Sequence, residues 1–552
     1  TANTCDSYFY GTININITGG KITNNIYGAG AGGVTGYSNT SSDLYKTYGE
    51  SFDTSVNINI SGGTIDGDVY GGGYGYTEYL NANVTATDGG SLYGDSNIVI
   101  SGSPTINGDI YAAGCGYDMS RKPEIAQMEG NSNIEISGTP DINGNIFGAG
   151  AGLSNYEEMA KLTGTSNITI SSNLDTEIYG GGNNAKTEGT TNINIQEGTH
   201  TGDIYAGGNL GEVIGNTIVN INGGSQNRLF GGGNQAAVTN STVYINGGTN
   251  NEIYAGGNLA EVNNTNVYIR GGETTTLYGG SNQNGTVQNS SIEATSGTVN
   301  TLYGGNNIGG LTENATVTIN GSSITNSVYG GGNRVDTTNS EVYLISSGNA
   351  IPYIFGGGNM AAVATPSVYI QGGQAQNVFG GSNQDGEITE SNVEVTGGNI
   401  ENIYGGNNQG GTTITTNINI NGGNIENVYG GGDKANSQTS NIELNKSDST
   451  ISNVYGGGNE AGVTTSNVSL NGAQVEKIFG GSNMSGIVTN SYVTTNSGYA
   501  EHVYGGNNQG GRTETTNVHI IAGDIVNVYG GGDQAESNLT NVLINVTVIG
   551  VV

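Results

Sequence analysis

The chain has 552 residues, 101 of them Gly and only 5 Pro, with 33% hydrophobic and 11% charged residues. That composition excludes collagen, a Pro-rich linker and a charged disordered tail, and leaves apolar material for a narrow core only. Its 46 acidic against 13 basic residues, a formal charge of −33, exclude nucleic acid and anionic membrane surfaces as partners, because no basic stripe is present to neutralise phosphates.

Residues 1–11 form a junction segment in which Ser7-Tyr8-Phe9-Tyr10-Gly11 is a degenerate copy of a phrase that then returns nineteen times. The phrase is an aliphatic residue, an aromatic residue and three small residues, usually followed by Asn or Asp. Its aromatic positions are Tyr27, Tyr70, Tyr111, Phe147, Tyr179, Tyr205, Phe230, Tyr254, Tyr278, Tyr303, Tyr329, Phe355, Phe379, Tyr404, Tyr429, Tyr455, Phe479, Tyr504 and Tyr529. From Tyr179 onward the spacing is 24 to 26 residues, and a fixed period in that range is the signature of a solenoid.

The first spacings are longer, at 43, 41, 36 and 32 residues. The extra residues fall after the Gly phrase, at about 32–55, 74–95, 116–131 and 152–165, so stacking sets the insertions side by side. They carry Tyr37, Tyr45, Tyr48, Phe52, Asp53, Tyr74, Tyr76, Tyr79, Tyr93, Tyr117, Glu124, Glu129, Tyr156, Glu157 and Glu158. Two readings are open: a lateral cap packed on itself, or a ligand-recognition patch on a rigid scaffold. For the latter, Tyr37, Tyr45, Tyr48, Tyr74, Tyr76, Tyr79, Tyr117 and Tyr156 are the candidates.

Residues 416–440 make one representative rung. Thr416-Asn417-Ile418-Asn419-Ile420-Asn421 alternates with period two, which predicts a strand with Ile418 and Ile420 on its inner face. Gly422-Gly423 turns the chain, Ile425 points back into the core, and Val428 re-enters it beyond the corner at Glu426-Asn427. Alternation then places Tyr429 on the outer face. There the rings either tuck over the glycines or inside the coil, or form an apolar stripe that a neighbouring rod or a stacked sugar chain would cover. Five of the seven Phe residues replace Tyr in this series, so the hydroxyl is not required.

From Tyr278 the small residues cycle with a four-rung superperiod. Phe379-Gly380-Gly381-Ser382-Asn383 returns as Phe479-Gly480-Gly481-Ser482-Asn483, and Tyr404-Gly405-Gly406-Asn407-Asn408 as Tyr504-Gly505-Gly506-Asn507-Asn508. After Asn541 the pattern breaks into one apolar strand without a turn, 542–552. An uncapped solenoid edge is open to pairing. Tyr8, Phe9, Tyr10, Val542, Ile544, Val546, Val548 and Val552 are therefore the candidate self-assembly residues.

The expected fold is all-β: a single parallel β-helix, or β-solenoid, of about nineteen rungs of 24–26 residues. Chirality of parallel crossovers favours a right-handed coil, and rung spacing gives a rod of about 90 Å. Its parts are the junction segment 1–11, rungs with long insertions at 12–178, regular rungs at 179–540 and the apolar strand 541–552. Cys5 and Cys115 lie several rungs apart, so no intrachain disulfide is expected. There is no apolar run near eighteen residues, and Thr1 reads as a processed or trimmed start.

No catalytic constellation is visible. His200, His502 and His519 are scattered, no His/Cys spacing suits zinc, and Arg121, Lys122, Arg228, Arg270, Arg334, Lys434 and Arg512 are isolated. The expectation is a non-enzyme without cofactor, with loose calcium binding by the acidic surface as the one alternative to a purely solubilising charge.

Phrases such as Asn246-Gly247-Gly248 and Tyr455-Gly456-Gly457-Gly458-Asn459 resemble those of bacterial surface β-solenoids: autotransporter and haemagglutinin-like adhesin passengers, and Gly/Asn-rich repeat proteins of anaerobic bacteria. The resemblance covers nearly all of 12–545. It implies a secreted or surface location and a structural or adhesive role, and transfers no site. The leading expectation is a secreted structural subunit that joins head to tail into an extracellular fibre, with lateral bundling as an option. An adhesin or glycan-binding rod is the alternative, and a β-helical polysaccharide lyase or hydrolase ranks below both.

Overall fold

Ile and Val alternating with Asn can bury one side of a chain only if that chain is extended. In the computed structural model the described residues, 8–9, 11–30, 34–36, 54–75, 90–116, 126–154, 156–445 and 450–545, contain no helix, and their strands pair in parallel. The one exception is an isolated antiparallel bridge, Leu153 to Tyr156. Cys5, Tyr10, Tyr37, Tyr45, Tyr48, Phe52, Asp53, Tyr76, Tyr79, Tyr117, Glu124, Val546, Val548 and Val552 lie outside the described residues.

The expected turn forms. Along Thr412–Ile420 the side chains of Thr416, Ile418 and Ile420 are fully buried, while Asn417 and Asn419 face outward. Gly423 takes φ +94° at the corner, a conformation that favours glycine. The chain returns along Asn424–Tyr429 with Ile425 and Val428 inward. Pairing joins like to like: Asn417 with Asn441, Ile418 with Ile442, Val428 with Val454, Tyr429 with Tyr455. The fold is thus a parallel β-solenoid.

About fifteen turns keep the regular period. They correspond to the fifteen phrases from Tyr179 to Tyr529. The four earlier phrases, at Tyr27, Tyr70, Tyr111 and Phe147, enter the same parallel pairing through longer turns. The expected count of about nineteen rungs of 24–26 residues thus becomes about fifteen regular turns, with the long turns before them as expected from the spacing. The chain divides into two compact units: 1–275 with 281–287, and 276–280 with 288–552. Each is a stack of such turns.

The small residues are required by close approach. A Cβ on Gly430 would lie 2.3 Å from the Gly456 carbonyl oxygen, and one on Gly432 would lie 2.2 Å from that of Asn407. The Gly carbonyls brought inward in this way are met by a column of Ser and Thr hydroxyls. Thr191 donates to Ala206 O at 2.6 Å, Ser391 to Gly405 O at 2.6 Å and Ser466 to Gly480 O at 2.6 Å. In these turns the Ser/Thr at the head of the main strand is a buried hydrogen-bond donor, whereas the equivalent Ser96 and Ser241 hydroxyls are buried without a partner and Ala315 and Pro366 take the place in two other turns.

The aromatic residues do lie on the opposite face from the inward aliphatics, but that face is not open to solvent. From Tyr70 to Phe479 the ring residues are only 0–7% exposed. Within each unit neighbouring rings stack on one another, and Asn383, in a segment that follows the glycines, donates to the Tyr329 hydroxyl at 3.2 Å. Of the two readings open for the rings, burial holds and the exposed stripe covered by another rod or a sugar does not.

Gly207 tests the close-approach argument. A Cβ there would meet Gly233 N at 2.7 Å and Val238 Cγ2 at 2.8 Å. Ala29, Ala113 and Ala149 hold the same place in the long turns, so the constraint is local. Gly207→Ala is expected to lower stability by about 1–3 kcal/mol, the range for overpacking, read as a reduced denaturant midpoint.

Candidate functional site

Four features carry chemistry that a plain stack of turns does not need: the aromatic ladder, buried polar locks, a polar column in the first unit, and the two end rungs. In the first unit the rings from Tyr27 to Tyr254 stack with centroids 4.6–5.1 Å apart and planes within 8°. In the second unit those from Tyr278 to Tyr529 stack at 4.5–5.2 Å and within 14°. Alternation puts residue i−2 on the same face, and for every first-unit Tyr of the ladder except Tyr27 it is a carboxylate. Tyr70 donates to Asp68 at 2.9 Å, Tyr111 to Asp109 at 2.9 Å and Tyr179 to Glu177 at 2.8 Å. Burial, reinforced by these acids, holds the ladder hydroxyls well above the ordinary phenol value. The ladder is a packing device, with none of its interior rings accessible to a ligand.

The superperiod has a physical origin. Asn407 is 1% exposed and stands where most turns have their third glycine. Its amide donates to Gly386 O at 2.9 Å and Gly410 O at 3.0 Å, while its oxygen accepts from Ser382 N at 2.8 Å. Ser382 in turn donates to Ala361 O at 2.9 Å. Asn507 with Ser482 repeats this lock, at 3.1 Å to Gly486 O, 2.9 Å to Gly510 O and 2.9 Å from Ser482 N. A satisfied polar group in an otherwise apolar stack discriminates against slipped pairings. The repeat of Ser and Asn was visible in the sequence; its bonding was not.

Three inward side chains of successive turns in the first unit, His200, Gln226 and Asn250, pair in register and are at most 2% exposed. Gln226 Nε2 donates to Gly223 O at 3.1 Å, and Asn250 Nδ2 to Glu273 O at 3.2 Å. His200 Nε2 lies 3.3 Å from Glu197 O. Their remaining atoms, His200 Nδ1, Gln226 Oε1 and Asn250 Oδ1, have no protein partner. Burial holds the His200 imidazole below its ordinary value, against a weaker opposing pull from the Glu197 carbonyl. In sequence terms this His was merely scattered; only the register reveals that it stands over Gln226.

The described insertion residues pack against the stack. Tyr74 lies 5.2 Å from the Tyr27 ring, Tyr93 is buried, and Tyr156 bridges to Leu153. Next to them Glu158 and Glu188 interleave with Lys161 and Lys186 at 3.0–3.4 Å. These placements match a lateral cap. Cys115 is a free, half-buried thiol that burial pushes above its ordinary value. Two outward pairs were not anticipated. Tyr244 stacks on Tyr268 at 5.1 Å with Arg270 over both rings, and Tyr343 stacks on Tyr369 at 4.7 Å. Among the described residues no group of three or more His, Cys, Asp or Glu side chains is placed to hold a metal ion.

The end rungs expose what every inner rung buries. On Glu536–Ile544, Val542 is 45% and Ile544 50% exposed, whereas Val518 and Ile520, their partners one turn earlier, are 1% and 7% exposed. At the other end Phe9 is 45% exposed, and Ile13 and Ile15 of Thr12–Ile22 are half-buried where Val56 and Ile58 are fully buried.

Two outcomes follow. Asn407→Ala, which strands the Gly410 carbonyl and the Ser382 N–H while Thr412 N still serves the Gly386 carbonyl, is expected to cost about 2–4 kcal/mol, against under about 1 kcal/mol for Asn408→Ala on the outer ladder; urea unfolding of both variants measures this. His200 is held neutral when folded, so its stabilising effect is complete above the unfolded value of about 6.5 and declines as pH falls below it. Between pH 7.5 and 5.5 the wild-type midpoint should fall more than that of His200→Gln. No family model, curated protein or solved structure matches this chain.

Proposed function

We propose that the protein is a secreted structural β-solenoid whose copies stack head to tail into an extracellular fibre. The observation that carries this reading is the pair of open rungs, each presenting the residues that build every internal junction. The secreted setting rests on the resemblance to surface β-solenoids.

The two ends are complementary in polarity as well as shape. Outer-face amides donate consistently from the later turn to the earlier one: Asn57 to Asn14 at 3.0 Å at the start, and Asn541 to Asn517 at 3.0 Å at the end. Stacking the last rung of one copy on the first rung of the next lets the Asn14 amide donate to the Asn541 oxygen, while Val542 and Ile544 cover Ile15 and Ile17. Like ends brought together would face donor with donor at the first rung and acceptor with acceptor at the last. Such a contact repeats without closing, which yields a filament.

Charging the exposed face of the last strand tests the geometry. Val542→Asp/Ile544→Asp, which sets two carboxylates where an apolar junction is required, is expected to abolish filaments, read by sedimentation and negative-stain microscopy. Deleting 541–552 should abolish filaments while the turns stay folded. Wild-type chain that stays monomeric at tens of micromolar would sink the proposal, as would filaments that persist after the deletion.

A further inference from the structure

Inside the coil of the first unit, one corner is polar where the rest of the repeat is aliphatic. The corresponding inward place holds Ile65, Ile106 and Ile142 in the long turns. In three successive later turns it holds His200, Gln226 and Asn250, in register and at most 2% exposed. Ser172, at the same corner one turn before His200, is buried too, and its hydroxyl has no protein partner. The other inward side chains of the three turns are aliphatic and fully buried: Ile195 and Ile204, Ile221 and Leu229, Ile245 and Ile253.

The hydrogen bonding left open is one-sided. A carbonyl only accepts, so His200 Nε2, 3.3 Å from Glu197 O, carries the ring proton and leaves a lone pair on Nδ1. The amide nitrogens of Gln226 and Asn250 donate to Gly223 O and Glu273 O, which leaves Gln226 Oε1 and Asn250 Oδ1. Three buried acceptors therefore stand in consecutive turns with no protein donor among the described residues. Each such acceptor left bare costs about 1–3 kcal/mol, so the column calls for an occupant that donates hydrogen bonds or carries positive charge. Only aliphatic side chains share its surroundings, so a cation here would be buried without a counter-charge, at a cost of several kcal/mol. A small neutral donor meets the need without that penalty.

We propose that this corner holds a file of water molecules that bridges the three acceptors. Parallel pairing sets the turns about 4.8 Å apart. A water donating two bonds of about 2.8 Å reaches acceptors roughly 4.5–5 Å apart, so one molecule spans one interval. The Gln226 oxygen has two lone pairs and takes a bond from each side. About two waters thus satisfy all three acceptors, and the Ser172 hydroxyl donates to the first of them. Water held by polar walls in this way is part of the fold, and here it forms a wet seam through turns whose corners are apolar elsewhere.

Crystals of the full chain grown with tetramethylammonium as the sole small cation test this, because only water is then available to fill the column. Solvent peaks are expected within about 3.2 Å of His200 Nδ1, Gln226 Oε1 and Asn250 Oδ1, and a thallium soak should add no anomalous signal there. Gln226→Met/Asn250→Leu, close in shape and without acceptors, should lose the peaks. In solution, exchanging tetramethylammonium chloride for potassium or ammonium chloride at equal ionic strength should move the unfolding midpoint of the wild type no more than that of this variant. A dry column, thallium at the acceptors, or a midpoint that potassium or ammonium raises in the wild type alone would overturn the proposal.

Discussion

Everything in this molecule depends on how closely one turn can approach the next where the chain leaves its aromatic residue. Hydrogen bonding between parallel strands fixes the separation of turns. At the glycine phrase the backbone of adjacent turns comes so near that an added methyl would fall within 2.2–2.9 Å of a carbonyl oxygen or a Val methyl, as at Gly430, Gly431 and Gly432. Only where that approach is allowed can rings stack, amides chain and hydroxyls reach carbonyls. The glycines are thus less a sign of looseness than the condition for the tightest packing in the chain.

The structure has two cores that share one strand. Val428 belongs to the first, inside the coil, and Tyr429, the very next residue, to the second, between the strand and the segment after the glycines. Because neighbouring residues on a strand point to opposite faces, burying both requires the chain to fold back over its own outer side. This explains why the ring is the most regular element of the repeat although its hydroxyl is dispensable: Phe355 and Phe379 fill the same space as Tyr329 and Tyr404. It also leaves the outside of the molecule to amides and carboxylates.

Period two in Ile418 and Ile420, the Gly422-Gly423 corner and the recurrence of the phrase together spell out the turn, because each of those signals acts locally and repeats. What stayed hidden depends on register between distant turns. Nothing around His200 reveals that Gln226 will stand beside it. The outward placement of Tyr429 followed correctly from alternation. Its burial did not follow, because alternation says which side a residue faces and not what lies on that side. The open edge after Asn541 was legible because the turn signal failed there. The insertions were legible only as extra length, since no periodicity constrains them.

The Ser382–Asn407 and Ser482–Asn507 locks give the stack a natural quantum of growth. Removing the Ser382 turn alone would set Asn407 on a glycine that keeps the N–H donor but lacks the hydroxyl, and would leave the Ala361 carbonyl without the Ser382 hydroxyl that meets it. Removing four turns brings Ser482 to the place of Ser382 and Asn507 to that of Asn407, so every seam closes with the chemistry it had before. Length can therefore change in blocks of about a hundred residues without any surrounding residue having to adapt, whereas shorter steps meet a mismatch in the interior. The locks that hold neighbouring turns in register also act as a ruler for how the gene can lengthen or shorten its product.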